Sequence, residues 1–561
     1  MRYTSATALA ALLSLSSTLA KPVSRSDYNQ TDIWDFALLK PSPELQWTPC
    51  FGRFTCTILE VPLDYSDVDA GTTGIAFIKW TNKNASSNAQ DILVNPGGPG
   101  GSGVSLVLTA VSLLQEMAGL NNIVGFDPRG VNNSGPDLSC FPGRKNTINL
   151  YDPDFGKAVD VNSSTSLADT WARAGSVGEW CSAVHGANSS AKYANTIATA
   201  TDMLHYAELA AEEKGEKKED AKLWYYGASY GTVLGSTFAT LFPDRIGRMI
   251  LDGVVDGEDY YQGKWAANLP DSDAAIESFF KYCYEGGEKA CAFWDESPEA
   301  IEARFTAVIE DLSVNPITVT DPNFVQRPAI VTITDFKTAL VSVPYSPSAY
   351  FPFLAQVLAG LENRNGSLLA TFSGEGARID ECSTDDESNA QQIEPRYYIA
   401  CNDANDRFNL STIEAWTEHV DTLVDESKYL GEAWAAGTAI NCRSLKVYSP
   451  ESQIFTGVPS SNHTSTPILF IGNTLDPVTP LRAAKKMSGL FAGSRLLTQN
   501  SVGHCSVAAT SSCTIGYMRK YFDDASLPDE GTICEAEQVP FKSDVTEAHL
   551  AIAGLRKRHH V

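Results

Sequence analysis

Residues 223–242 read Leu-Trp-Tyr-Tyr-Gly-Ala-Ser-Tyr-Gly-Thr-Val-Leu-Gly-Ser-Thr-Phe-Ala-Thr-Leu-Phe and carry the pattern that decides the fold. Within them, Gly227 to Gly231 fits G-x-S-x-G, in which a serine occupies a strained turn between a strand and a helix. A strand-like run, Leu223 to Tyr226, leads in, and a helix-like run, Thr232 to Phe242, leads out. The stretch predicts that Ser229 exposes its hydroxyl at such a turn. The alternative is a chance glycine-serine turn, which the rest of the chain must exclude.

Strand-like and helix-like runs alternate on both sides of this turn. Further strands are predicted at 56–61, 74–80, 91–95, 123–126 and 248–252, and again at 467–471 and 494–499. Helical spacing of apolar residues covers Ala198 to Glu213 and a run near Ile515 to Tyr521. The alternation predicts an α/β fold, with a mostly parallel sheet that is covered by helices on both faces.

A long interval from about Gly257 to Ser465 interrupts this alternation with mainly helical spacing. We therefore expect a sheet-containing core, residues 21–256 and 466–540, split by a large helical cap insert, residues 257–465. About 200 residues is a plausible size for such a unit. Residues 541–561 form the C-terminal tail, whose short basic run we interpret as a solvated end.

The composition excludes several classes of function. The 561 residues carry a formal net charge of −26, which argues against binding to nucleic acid or anionic membranes. Residues 1–20 resemble a secretory signal peptide, with Arg2, a short apolar stretch and small residues before the predicted cleavage site. No later apolar run is long enough to span a bilayer, so the sequence predicts a secreted protein without a membrane anchor.

The cysteines and glycosylation sequons agree with an extracellular protein. Twelve cysteines behind a signal peptide favour disulfides, and the close pairs Cys50/Cys56 and Cys283/Cys291 could close small loops. The absence of C-x-x-C or a paired cysteine/histidine cluster argues against a zinc site. Eight N-x-S/T sequons begin at Asn29, Asn84, Asn132, Asn162, Asn188, Asn365, Asn409 and Asn462.

A serine nucleophile needs a base, and the base needs an acid that orients it. When a G-x-S-x-G serine belongs to such a triad, the acid and then the histidine follow it in the chain. His504 comes directly after the last predicted strand, whereas the other histidines precede Ser229 or lie in the insert, a sequon or the tail. Asp476 follows the preceding strand. The alternatives are a surface histidine and a turn or helix-capping aspartate.

Backbone N–H groups must stabilise the oxyanion of the tetrahedral intermediate. One is predicted to come from Tyr230, the residue after the nucleophile, and the other from the glycine-rich loop 95–103. We expect Gly98 to be the loop donor, with Gly97 as the alternative. A phosphate-binding loop is disfavoured because no G-x-x-x-x-G-K-[ST] is present. This chemistry requires no metal and no organic cofactor.

Taken together, the motifs resemble the secreted tripeptidyl aminopeptidases, relatives of proline iminopeptidase within the α/β-hydrolase fold. They are Asn95-Pro-Gly-Gly-Pro-Gly-Gly-Ser-Gly103, Gly125-Phe-Asp-Pro-Arg-Gly130, Gly227-Ala-Ser-Tyr-Gly-Thr232, Leu251-Asp-Gly-Val254, Asp476-Pro-Val-Thr-Pro480 and Gly503-His504. Proline iminopeptidase has histidine where this chain has Pro96, a departure that fits the tripeptidyl branch. We interpret Asp127 and Arg129 of the second motif as an internal ion pair.

The resemblance implies a serine exopeptidase that acts on peptides with a free N-terminus, and we expect it to be a monomer. Acidic residues should then recognise the α-ammonium group, because a desolvated cation needs a paired charge. Glu258, Asp259 and Asp403 are the candidates, and for each the alternative is a solvated surface carboxylate. An esterase on the same scaffold and a non-catalytic binding protein remain alternative functions.

Overall fold

A computed structural model describes residues 32–86, 89–143, 156–186, 188–374 and 393–543. The predicted signal peptide, most of the C-terminal tail, Asn29 and Cys382 lie outside the described residues. The α-helices of the described residues, numbered in chain order, are α1 Gly103–Ala118, α2 Ser166–His185, α3 Thr196–Glu213, α4 Tyr230–Leu241, α5 Gly257–Gln262, α6 Ser272–Gly286, α7 Pro298–Val314, α8 Ile333–Ser342, α9 Pro347–Glu362, α10 Ser367–Phe372, α11 Glu394–Ala404, α12 Ile413–Glu426, α13 Gly431–Ala435, α14 Thr438–Cys442, α15 Leu481–Gly489 and α16 Ser512–Asp524.

A ten-stranded sheet forms the centre of the molecule, in the order β1-β2-β3-β5-β4-β6-β7-β10-β11-β12. The strands are β1 Thr48–Cys50, β2 Phe54–Asp64, β3 Asp67–Trp80, β4 Asp91–Asn95, β5 Asn122–Phe126, β6 Leu223–Ala228, β7 Ile246–Asp252, β10 Leu469–Leu475, β11 Arg495–Val502 and β12 Ile533–Glu535. Strands β1 to β3 pair antiparallel, as do β3 and β5, and the remaining pairs are parallel. The predicted α/β-hydrolase fold with a mostly parallel sheet is confirmed.

Both faces of the sheet are buried, which explains why its central strands are continuous apolar runs. Ile92 and Val94 of β4 face a cluster that contains α1 and α16. Leu93, between them, faces a second cluster that contains α3, α4 and α15. This alternation places helices on the two faces and leaves the carboxyl ends of β4, β6, β10 and β11 at one edge, where the candidate site residues lie.

The helical layer consists of α5 to α14 together with α2 and a small hairpin, β8 Ile317–Val319 with β9 Ala329–Val331. The sequence predicts most of it in the insert between β7 and β10, but α2 comes from the earlier connection between β5 and α3. Trp416 Nε1 donates to the Leu167 carbonyl at 3.2 Å, and Trp171 Nε1 donates to the Leu410 carbonyl at 3.2 Å. Two separate segments of the chain therefore build one layer.

Ten of the cysteines in the described residues form five disulfides: Cys50–Cys56, Cys140–Cys181, Cys283–Cys291, Cys401–Cys442 and Cys513–Cys534. The two close pairs singled out in the sequence are among them, and Cys505 keeps a buried free thiol. The asparagines of the seven sequons in the described part are all exposed. Within that part, no helix is both long and apolar enough to cross a membrane.

The predicted ion pair between Asp127 and Arg129 is wrong. Arg129 is fully buried and pairs instead with Asp202 of α3, with Nε 2.7 Å from Oδ2 and Nη2 2.8 Å from Oδ1. Asp127 accepts hydrogen bonds from Ser102 Oγ at 2.5 Å and Val104 N at 3.2 Å, at the start of α1. The two side chains diverge because Asp127 satisfies helix N-terminal donors, while the buried guanidinium requires its own carboxylate.

Candidate active site

Ser229 occupies the turn between β6 and α4 with the backbone conformation that the motif demands. Its φ is 57° and its ψ is −125°, which non-glycine residues rarely adopt. Its N–H donates to the Asp252 carbonyl at 2.9 Å, and its carbonyl accepts from Thr232 N at 2.8 Å. A Cβ at Gly227 would lie 2.4 Å from the Gly231 carbonyl oxygen, so the turn requires glycine there.

Asp476 follows β10 and is completely buried. Its Oδ1 accepts from Val478 N at 3.0 Å and Thr479 N at 2.8 Å, and its Oδ2 accepts from Thr479 Oγ1 at 2.7 Å and Cys505 N at 2.8 Å. Burial by itself would raise the pKa of Asp476. The facing imidazole of His504 and these hydrogen bonds outweigh burial and hold that pKa below its usual value, so the carboxylate is ionised at neutral pH.

His504 follows β11 and directs one ring nitrogen at this carboxylate. Its Nδ1 lies 3.1 Å from Asp476 Oδ1 and 3.2 Å from Oδ2. Its backbone N–H donates to the Tyr345 carbonyl at 2.9 Å, and the Tyr345 ring packs edge-on against the imidazole at 4.7 Å between centroids. Asn473 Nδ2 donates to the Gly503 carbonyl at 2.7 Å and thereby anchors the loop. The structure thus brings the predicted acid and base together.

Asp252, at the end of β7, joins the histidine loop to the serine turn. Its carbonyl accepts from Ser229 N and lies 3.6 Å from Cys505 Sγ. Its carboxylate accepts from Ser506 N at 2.9 Å, Ser506 Oγ at 2.5 Å and Tyr226 OH at 2.9 Å. Sequence reasoning had no role for this side chain. Its position at the carboxyl end of a central parallel strand was the available signal.

The two loop glycines differ in what their N–H groups already bind. Gly97 N donates to Asn95 Oδ1 at 2.9 Å. Gly98 N and Tyr230 N have no acceptor among the residues that the structure describes. A Cβ at Gly97 would lie 2.7 Å from Ser229 Cβ and 2.9 Å from Tyr230 N, so the loop passes directly beside the serine turn. This difference favours Gly98 over Gly97 as the loop donor.

Glu258 and Asp259 lie in α5, directly after β7, and both have partners within the protein. Glu258 Oε2 forms an ion pair with Lys486 Nζ at 2.8 Å. Asp259 accepts from Ala266 N at 3.0 Å and Ala267 N at 3.3 Å, and burial raises its pKa to about 6. Within the described residues, no hydrogen bond or ion pair joins either carboxylate to Ser229, Asp476 or His504.

Asp403 of α11 is buried and its hydrogen bonds lead to the serine turn. It accepts from Thr196 N at 2.9 Å, Thr196 Oγ1 at 2.5 Å and Tyr260 OH at 2.7 Å. Because the Thr196 hydroxyl proton goes to Asp403, the Tyr230 hydroxyl, 2.6 Å from Thr196 Oγ1, donates to that oxygen. Burial raises the pKa of Asp403 to about 6 despite these donors.

One group of potential metal ligands occurs in the described part of the chain, namely Asp476, His504 and Cys505, whose ligand atoms lie within 4.8 Å of one another. The Asp476 oxygens already accept hydrogen bonds from His504 and from backbone donors, and the Cys505 thiol faces the Asp252 carbonyl. The group coincides with the acid–base pair, and we assign no metal to it.

Comparisons with known proteins place this site in a family context. Residues 427–534, which include Asp476 and His504, match the TAP-like protein family. The serine protease Hip1 of Mycobacterium tuberculosis is 25% identical over 506 residues, covering 87% of this chain and 91% of that protein. The tripeptidyl aminopeptidase of Streptomyces coelicolor is 28% identical over 480 residues, covering 82% and 80%. Carboxylesterase B of Mycobacterium tuberculosis is 24% identical over 511 residues, covering 88% and 90%. The predicted resemblance to the tripeptidyl aminopeptidases is confirmed, and the chain is similar to the TAP-like proteins over residues 427–534.

Proposed function

We propose that the protein is a secreted serine exopeptidase that releases short peptides or single residues from free N-termini. The observation that carries the proposal is the pair formed by buried Asp476 and partly buried His504, set in consecutive loops beside the Ser229 turn in the chain order of hydrolase triads. Similarity to a serine protease and a tripeptidyl aminopeptidase supports a peptide substrate.

In the first half of the reaction, Ser229 Oγ attacks the scissile carbonyl while His504 Nε2 takes the hydroxyl proton. Asp476 accepts a hydrogen bond from Nδ1–H, which fixes the tautomer and stabilises the imidazolium that forms. The negative charge that develops on the carbonyl oxygen is stabilised by the N–H groups of Gly98 and Tyr230.

Collapse of the tetrahedral intermediate breaks the C–N bond, and His504 passes its proton to the leaving amine. An acyl-enzyme on Ser229 remains. A water molecule, deprotonated by His504, then attacks this ester, and the released serine oxygen recovers the proton. No step requires a group other than these side chains, the two backbone donors and water.

Recognition of the substrate α-ammonium group is part of the proposal, with Glu258, Asp259 and Asp403 as the candidate carboxylates. All three are hydrogen-bonded within the protein, so a substrate ammonium must compete with those donors. The neutral variants E258Q, D259N and D403N test each in turn. Substitution of the one that binds the ammonium should raise KM for free peptides, and thermal melting at the assay pH checks that each variant is folded.

Secretion and glycosylation also belong to the proposal. The signal-like residues 1–20, the five disulfides and the exposed asparagines of seven sequons support them. Expression in a secreting eukaryotic host should give a protein in the medium whose mass falls after deglycosylation. An unchanged mass would contradict glycosylation without affecting the catalytic proposal.

Product analysis on matched peptides tests the activity. Each peptide is offered with a free and with an acetylated N-terminus, and we expect release only from the free form. S229A should lower kcat by about 10⁵-fold or more, because the triad acts as a unit. Ser313, an exposed residue of the helical layer, supplies the matched control S313A, which should retain full activity. Equal cleavage of acetylated peptides would contradict exopeptidase action.

An esterase is the second candidate, because Carboxylesterase B is a relative of nearly the same identity. Triad chemistry is common to both activities, and the helical layer selects the substrate. Fast turnover of acyl esters, with no release from free peptides and with the same loss in S229A, would favour the esterase.

A further inference from the structure

Arg396 lies in the first turn of α11, where the helical layer meets the glycine-rich loop. A Cβ at Gly100 would be 3.0 Å from Arg396 N and 3.4 Å from Arg396 Cα. The backbone of Arg396 therefore packs directly against the loop that carries Gly98. This contact places the arginine at the boundary between the helical layer and the candidate oxyanion site.

The guanidinium group of Arg396 is partly buried and has few partners. Its Nε donates to Thr438 Oγ1 at 3.2 Å, and its Cζ lies 5.9 Å from the centroid of the Trp265 ring. Among the described residues, no carboxylate or carbonyl accepts from its Nη1 or Nη2. An arginine has five N–H donors in a fork that matches a carboxylate, and here the two Nη groups at the end of the fork are unused.

Two other arginines of the described residues use their Nη groups within the protein. Arg129 pairs with Asp202, and Arg407 donates to the carbonyls of Tyr261, Asp403 and Phe455. The sequence has 68 acidic residues against 42 basic ones, so carboxylates are abundant. The Nη groups of Arg396 have no such acceptor among the described residues, so they are available to an anion from outside the chain.

Tyr345 connects this cation to the candidate base. The Tyr345 ring packs on the imidazole of His504, with 4.7 Å between the ring centroids. Burial raises the pKa of the Tyr345 hydroxyl to about 12, and the positive charge of Arg396 opposes that rise. The charge of Arg396 is therefore close enough to act on Tyr345, the residue that packs on His504.

We propose that Arg396 forms an anion subsite beside the candidate active site and binds a carboxylate of the substrate through Nη1 and Nη2. The subsite rests on the proposed peptidase function. The carboxylate has two possible sources, the side chain of an Asp or Glu residue near the scissile bond or the C-terminal carboxylate of a short peptide. Both offer the planar pair of oxygens that a guanidinium binds with two parallel hydrogen bonds.

Two series of peptides with free N-termini distinguish these sources. The first places Asp or Asn at each position of an alanine peptide amide, and the second compares alanine peptides that end in a carboxylate or an amide. In the series that contains the true source of the carboxylate, kcat/KM of the wild type should be about 10- to 100-fold higher for the charged peptide than for the neutral one, as expected for charge-assisted hydrogen bonds. R396Q should abolish this preference and change kcat/KM for neutral peptides by less than about threefold.

R396K should retain part of the preference, because it keeps the charge and loses the fork. The matched control is R364Q, since Arg364 is exposed and paired with Asp311, and its preference should equal that of wild type. Thermal melting of each variant checks folding, and if R396Q does not fold, the ratio of charged to neutral rates in R396K decides the question.

Equal rates on charged and neutral peptides in wild type, or a preference that survives in R396Q, would overturn the subsite and leave the peptidase proposal intact. If wild type cleaves no peptide, the peptidase proposal fails. Binding of the same peptide pairs to S229A, with and without R396Q, then tests the subsite alone. Tighter binding of the charged peptide that disappears with R396Q supports it, and equal binding refutes it.

Discussion

Asp476 at the edge of the sheet and Asp403 at the boundary of the helical layer are both buried and both accept from a threonine hydroxyl and a backbone N–H. Their pKa values nevertheless move in opposite directions. The pKa of Asp476 is held below its usual value because His504 faces it, whereas burial raises the pKa of Asp403 to about 6. The comparison shows that a facing imidazole, more than the number of neutral donors, decides which carboxylate stays ionised.

D476N changes the carboxylate that faces the His504 imidazole, and of the substitutions in this comparison it should have the largest effect on kcat. The amide cannot stabilise the imidazolium and favours the wrong tautomer of His504, so kcat should fall by about 10⁴-fold. Steady-state kinetics on a peptide substrate with a free N-terminus would measure the fall in kcat. D403N, the same change in the other region, should lower kcat far less, and similar losses in both variants would remove the functional distinction between the two aspartates.

D403N should also change how stability depends on pH. With a folded pKa of about 6 against 3.8, Asp403 keeps its proton in the folded state over a range where the unfolded chain has lost it. The free energy of unfolding of wild type minus that of D403N should therefore be largest below pH 3.8 and should decline by about 3 kcal/mol as pH rises through 6. Denaturant unfolding at pH 4, 5, 6 and 7 would measure the difference. A constant difference would contradict a raised pKa.

Replacing Thr196 or Thr479 by valine removes one hydroxyl donor from the hydrogen bonds around Asp403 or around Asp476, respectively. T196V leaves Asp403 and the Tyr230 hydroxyl without their shared partner, and T479V removes one donor to Asp476. Each should lower the free energy of unfolding by about 1–3 kcal/mol, since a buried polar group loses its hydrogen bond. Only T479V should also lower kcat substantially. Chemical unfolding and kinetics on both variants separate the two effects.

E258Q should have the smallest effect on stability. The Glu258–Lys486 ion pair is partly exposed, and such pairs contribute about 1 kcal/mol or less. Unfolding in low and high salt would detect the loss and show whether salt masks it. If E258Q lowered the free energy of unfolding as much as T196V is expected to, the exposed ion pair of Glu258 would contribute as much stability as the buried hydrogen bonds of Asp403.

The fold follows from the sequence where the signal is local. Strand β4 was predicted with the observed bounds, Asp91–Asn95, because an apolar run between turns is itself the pattern of a buried strand. The chain order of Ser229, Asp476 and His504 likewise follows from motifs at strand ends, and their roles remain predictions. Other features depend on distant contacts. The partner of Arg129 lies 73 residues away, and no local pattern indicates it.

The same limit applies to the helical layer. Its helices were predicted as a class, but the packing of α2 against the insert depends on pairs such as Trp171 with Leu410, 239 residues apart. The ties from Asp252 to Ser506 and from Asp403 to Thr196 also span more than 200 residues. Such contacts form only when distant segments come together in the folded chain, so no local pattern of the sequence predicts them.

The disulfides described above also bear on how the two layers can move. Each closes a loop of 41 residues or fewer, and within the described chain each lies wholly in the sheet part or wholly in the helical layer. Among the described residues, the peptide chain alone crosses the boundary covalently. These five disulfides therefore fix each layer internally and do not lock one to the other, so the two layers are held together by reversible contacts such as the hydrogen bonds from Thr196 to Asp403.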